Sequence, residues 1–127
     1  VSPDAEFAVR PLGAAVTGFT LIDADTGRAV GALADGERLD RPGSPNRRTI
    51  RAEATDSVRS VRFVLDGRFV RTESVPPFLL GGDTKGEIKH DEFAPGEHRL
   101  TAVPYPEIDA RGEPGLPLTL TFRVQRK

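Results

Sequence analysis

The sequence predicts an all-β protein, an antiparallel β-sandwich of about seven strands, and three observations carry that expectation. Apolar and polar residues alternate with period two in several short runs. Glycine and proline, 13 and 11 of the 127 residues, punctuate the chain at intervals too short for helices. No segment sustains the 3.6-residue apolar repeat of an amphipathic helix. Successive side chains of a strand point to opposite faces, so each alternating run has one buried and one wet side. Two sheets packed face to face hide all the buried sides at once. A small closed barrel would do the same, but the long proline-containing connection after Val75 suits a chain that changes sheets.

Residues 1–15 carry Pro3, Pro11 and Gly13 with no clean period, and read as a linker or edge extension leading into a domain at 16–127. Val16–Ile22 is β-rich, and Asp25-Thr-Gly27 turns the chain into a short return strand near 28–31. Asp35-Gly36 marks another turn, Glu37–Asp40 is at most a short extended piece, and Arg41–Asn46 is a loop. In Thr49–Ala54, Ile50, Ala52 and Ala54 take one face while Arg51 and Glu53 take the other. Ser60–Leu65 buries Val61, Phe63 and Leu65, and Asp66-Gly67 fits a two-residue type I′ turn into the returning strand Arg68–Thr72. Pro76 and Pro77 cannot donate ladder hydrogen bonds, so the returning strand ends before them. Phe78–Leu80 re-enters the core. Gly81–Gly86 is a loop, Glu87–Phe93 a weak strand, and Ala94–Glu97 a turn. Glu97–Pro104 is a strand with Leu100 and Ala102 inside, and 106–117 is a hydrophilic loop. Leu118–Gln125 alternates cleanly, with Leu118, Leu120, Phe122 and Val124 on one face and Thr119, Thr121, Arg123 and Gln125 on the other. The expected core is therefore Ile50, Ala52, Val61, Phe63, Leu65, Phe78, Leu100, Ala102, Leu120, Phe122 and Val124.

Composition narrows the function. The formal net charge is −1, so the chain as a whole exerts no pull toward nucleic acid or an anionic membrane. With no cysteine there is no disulfide framework, thiol chemistry or cysteine-ligated metal. No apolar run is long enough for a membrane span. The chain begins at Val1 without a signal peptide and reads as a mature or excised segment. Charge is nonetheless uneven. Between Arg41 and Arg71 eight arginines face three acids, and between Asp83 and Glu113 eight acids face four bases. This describes either wetted sheet faces or a dipole able to dock on a neighbouring domain.

An ordered series of motifs is also recognisable: SVRFVLDG from Ser60, ESVPPF from Glu73, GGDTKG from Gly81, PGEHRLTAVPY from Pro95 and PLTLTFRV from Pro117. In order and spacing, over about Val16 to Gln125, the series resembles the immunoglobulin-like, fibronectin-III-like modules of bacterial secreted and cell-surface proteins. The resemblance implies an Ig-like fold and an extracellular, cell-surface or periplasmic setting beside catalytic, carbohydrate-binding or adhesive domains. It carries over no catalytic residue. A cysteine pair and a core tryptophan, immunoglobulin hallmarks, are missing.

Candidate sites are sparse. Asp23-Ala-Asp25-Thr-Gly27 alternates acids before a glycine, but lacks the further ligand and distal Glu of a calcium loop and reads as a polar turn. Asp83, Glu87, Asp91 and Glu92, with Asp109 and Glu113, could crowd oxygens for a weak Ca²⁺ site, though solvated loops explain them better. His90 and His98 have no zinc spacing, no G-x-S-x-G elbow or phosphate loop is present, and no cofactor is expected. Arg51, Arg59, Arg62, Arg68 and Arg71 are expected to share an outward face, without interleaved aromatics. From these, Arg51, Arg62 and Arg71, together with Tyr105 at a strand end, form the candidate ligand or partner face. Tyr105 is expected to pack on the final strand or close the sandwich end. The favoured function is a non-catalytic connector or interaction module of a larger secreted or cell-surface protein, its partners the flanking domains. A carbohydrate- or matrix-binding module, with a polysaccharide or another surface protein as partner, is the alternative, and a small hydrolase ranks third.

Overall fold

A computed structural model of the chain describes residues 14–39, 48–84, 87–88 and 94–124. Its strands, in chain order, are β1 (Val16–Asp23), β2 (Ala29–Ala32), β3 (Glu37–Leu39), β4 (Arg48–Ala54), β5 (Ser60–Leu65), β6 (Arg68–Glu73), β7 (Phe78–Leu79), β8 (Asp83–Thr84), β9 (Glu87–Ile88), β10 (Gly96–Tyr105) and β11 (Leu118–Val124). One sheet has the order β2-β1-β4-β7 and the other β3-β11-β10-β5-β6, while β8 and β9 form a separate hairpin. This is the expected sandwich. The strands beyond about seven are pieces of two to four residues, too short to show a period of their own.

The core lies between the two sheets. Every residue of the expected core belongs to it, with Leu65 partly buried against the rest. Phe63 and Phe122 are its largest fully buried members. The crossover after Val75 does change sheets: β6 ends in the five-stranded sheet and β7 begins in the four-stranded one. The β5–β6 turn is type I′ as expected, since Asp66 and Gly67 both take positive φ, at 54° and 81°.

Three local features depart from the sequence reading. First, β3 is a true strand, and it pairs parallel to β11. The Asp35 carboxylate accepts hydrogen bonds from the Thr121 N–H at 2.7 Å and its hydroxyl at 3.1 Å, which fastens the turn before β3 to β11, its neighbour in the five-stranded sheet. Second, the 106–117 loop contains a single 3₁₀ turn, Ile108–Ala110. The buried Ser60 hydroxyl pins it, donating to the Glu107 carbonyl at 2.6 Å and accepting from the Ala110 N–H at 2.9 Å. Third, the β5–β6 register shifts between Phe63 and Val64, which leaves Val70 without a partner as a β-bulge.

Of the expected linker, Ala14 and Ala15 are described. The Ala15 carbonyl accepts from Thr55 N–H at 3.0 Å and the Ala14 carbonyl from Leu116 N–H at 3.0 Å, so this stretch is fastened to both sheets' ends. Expectations for 1–13, the loop at 41–46 and most of 87–93, including His90, Asp91 and Glu92, lie outside the described residues.

Candidate interaction face

Register decides which arginines share a face. The outer face of the five-stranded sheet carries the residues that alternate with buried Val61, Phe63, Leu100, Ala102, Leu120 and Phe122. Arg62 lies there, opposite Val103 on β10. Tyr105 lies on the same face, opposite Ser60, and it is half-buried. The ladder between β10 and β11 stops at Ala102, so Tyr105 stands beside β5 rather than against the final strand.

Arg71 is not on this face. In an unbulged two-residue hairpin it would oppose Arg62. The bulge at Val70 moves it opposite Phe63, so its side chain turns inward at the open edge of the sandwich. There its Nε donates to Glu73 at 2.7 Å and its Nη1 to the Gly81 carbonyl at 3.3 Å, tying β6 to the segment that follows β7. The guanidinium also occupies the space beside Gly82, where an added Cβ would lie 2.6 Å from Cζ. Arg51 is on the other sheet altogether, opposite Thr20, with its Nε on Glu53 at 2.7 Å. The expected grouping of Arg51, Arg62 and Arg71 on one outward face is therefore corrected: strand order separates Arg51, and the bulge separates Arg71.

Other residues join Arg62. Arg99 projects outward from β10 opposite Thr121, and Arg123 from β11 opposite Glu97. Arg38 stands directly beside Arg123 on β3. All four arginines are exposed. Among the described residues none of Arg38, Arg62, Arg99 and Arg123 makes an ion pair. Arg51 and Arg71, in contrast, are each neutralised by a glutamate two residues on. An aromatic is interleaved after all: the Arg62 guanidinium carbon stands 4.8 Å from the centre of the exposed Phe69 ring, a cation–π geometry. The sequence signals were present, since Arg99 and Arg123 alternate with inward residues. Strand order, which assembles them, was not.

At one end of the sandwich the ring nitrogens of His98 face two acceptors, Asp66 Oδ2 through Nδ1 and the Ala94 carbonyl through Nε2, each at 2.7 Å. Only the doubly protonated imidazolium can donate to both. Burial alone would lower the His98 pKa. The hydrogen bonds to Ala94 and Asp66 and the charge of Asp66 outweigh burial and hold it above the ordinary value of 6.5. For Asp66 burial would raise the pKa. The Arg99 N–H and His98, through its hydrogen bond and charge, outweigh it and hold the pKa below 3.8. The pair clips the type I′ turn onto β10, and the His98 ring lies 5.5 Å from that of Phe122.

The remaining candidates resolve into structure. Asp23 Oδ1 accepts the N–H groups of Asp25 and Thr26, which makes the 23–27 segment the polar turn expected. Asp109 is tied to Ser74, whose hydroxyl accepts its N–H at 3.0 Å. Among the described residues no three His, Asp or Glu side chains gather as metal ligands. An open cleft of about 460 Å³ lies where β7 stops pairing with β4, walled by Glu53, Ala54, Thr55, Val58, Pro76 and Pro77. No helix among the described residues is long and apolar enough to cross a membrane.

No protein-family model matches the chain, and no curated protein matches it. Among solved structures, the fibronectin(III)-like modules of CbhA from Clostridium thermocellum match 73% of this chain and 92% of theirs. The identity is 16% and the TM-score 0.50. The likeness is one of fold: this chain is an immunoglobulin-like, fibronectin-III-like β-sandwich.

Proposed function

We propose that the chain is a non-catalytic module of a larger secreted or cell-surface bacterial protein, serving as a connector or interaction unit between flanking domains. One observation carries the reading most of the way. Ala15 bridges Leu116 beside the start of β11, whereas Val124 lies at the far end of that strand. Seven residues of strand advance about 20 Å, so Ala15 and Val124 occupy opposite ends of the sandwich. A domain so threaded holds its neighbours in line. The disposition of polar groups agrees: the Ser60 and Ser74 hydroxyls and both His98 nitrogens are engaged with backbone or carboxylate partners within the scaffold. The solved neighbours are themselves described as modules, and the motif series resembles extracellular ones.

The test is small-angle scattering from a fusion that carries a folded reporter domain at each end. An elongated particle with the reporters on opposite sides is expected. Reporters side by side, or turnover of a substrate by the isolated chain, would overturn the reading. The second reading, a carbohydrate- or matrix-binding module, is favoured by one observation, the guanidiniums of the five-stranded sheet that make no ion pair among the described residues.

A further inference from the structure

We propose that the outer face of the five-stranded sheet docks a linear anionic polysaccharide, with Arg38, Arg99, Arg123 and Arg62 as its charged contacts. The proposal deepens the second reading and is independent of the connector reading, which survives its failure.

Charge complementarity selects the ligand. Arg38 and Arg123 are abreast in adjacent strands, an arrangement that repels in the free protein and is relieved by an anion lying across both. With strands about 4.8 Å apart and about 3.3 Å per residue, Arg99 lies about 8 Å from Arg123, and Arg62 about 14 Å beyond it. The four form a diagonal band. Among the described residues the acids near it are few and mostly engaged. Asp35 is held by Thr121, and Asp66 by Arg99 N–H and His98, while Glu97 sits beside Arg123. Thr101 and Thr119, whose hydroxyls bond each other at 2.8 Å, lie on the same face between the arginines.

The shape of the face favours a polymer of sugars over an acidic protein. Protein interfaces carry an apolar centre. Here Val64 and Val103 are half-buried in the middle, and the large exposed apolar side chains of this sheet among the described residues, Phe69 and Val70, lie at its margin on the edge strand β6. A polyuronate or sulfated chain bears charge at short intervals, matches a band of separated guanidiniums, and offers the C–H face of a pyranose to the Phe69 ring beside Arg62.

The experiment measures binding of the folded chain to fluorescent polygalacturonate oligomers, with neutral xylan oligomers and poly-glutamate as comparators. It is repeated for Arg99→Glu/Arg123→Glu and for the charge-matched Arg28→Glu/Arg51→Glu, whose residues lie just before β2 and on β4 of the other sheet, after thermal melts establish that each variant folds. Expected are binding of the uronate but not of xylan, weakening with added salt, and at least a tenfold loss in the Arg99/Arg123 variant with less than threefold in the other. No uronate binding by the folded wild type would overturn the proposal. So would equal losses in both variants, which would mean bulk charge, or equal affinity for poly-glutamate, which would mean an acidic protein partner.

Discussion

Two phenylalanines six residues apart in one hairpin should lose very different amounts of stability on truncation. Phe63 is 0% exposed and Phe69 is 56% exposed. Phe63→Ala removes about 100 Å² of buried apolar surface, worth about 2.5 kcal/mol at ~25 cal/mol per Å². The cavity left between the sheets adds about 1–2 kcal/mol, because a close-packed interior relaxes only in part. A loss of about 3–5 kcal/mol is a large share of the ~5–15 kcal/mol that holds a domain of this size folded. Phe69→Ala gives up mainly its cation–π contact with Arg62, about 0.5–1 kcal/mol at an exposed site. Urea unfolding followed by far-ultraviolet circular dichroism measures both. Equal losses, or a loss below about 1 kcal/mol for Phe63→Ala, would refute the register that places them.

Other outcomes follow from the same geometry. His98 has a folded pKa raised above 6.5, so its contribution is fully present below that value and is lost as pH rises through the elevated one. Asp66 has a folded pKa below 3.8, so its contribution is present above 3.8 and is lost as pH falls through the depressed value. The stability gap between wild type and His98→Asn should therefore be greatest between about pH 4 and 6.5 and shrink toward pH 9; a gap flat with pH would refute the clip. Gly82→Ala should destabilise by about 1–3 kcal/mol, since Gly82 has φ 76° and the Arg71 guanidinium fills the space beside it. In an Arg71→Ala background the loss should be smaller, and strict additivity in the double-mutant cycle would show that the two do not touch.

Most of the fold was legible because it is written locally. Alternation in Thr49–Ala54, Ser60–Leu65 and Leu118–Val124 names the inner residues, Asp66-Gly67 names the turn, and Pro76-Pro77 names the exit. The features not read are long-range or singular. The pairing of β3 depends on Asp35 reaching Thr121, 86 residues away, and no local pattern encodes it. The bulge had one trace in the sequence: Phe69 and Val70 are adjacent apolar residues where a half-buried strand should alternate. Read as regular, that strand puts Arg71 outward beside Arg62. Read with the extra residue, it puts Arg71 inward and makes it a cross-sheet tie. The candidate face suffered most from this. Membership of a sheet face needs strand order and register together, and sequence supplies alternation only within each strand.

The proposed ligand-binding surface, a claim separate from the connector role, is the open face of the five-stranded sheet and not the cleft beside Pro76 and Pro77. Amide chemical-shift mapping of the isotope-labelled chain titrated with polygalacturonate oligomers tests it most directly. Expected are saturable shifts in β3, β10, β11 and β5 around Arg38, Arg99, Arg123 and Arg62, with Phe69 included. Shifts gathered instead around Thr55, Pro76 and Pro77, or no saturable shifts at all, would contradict it.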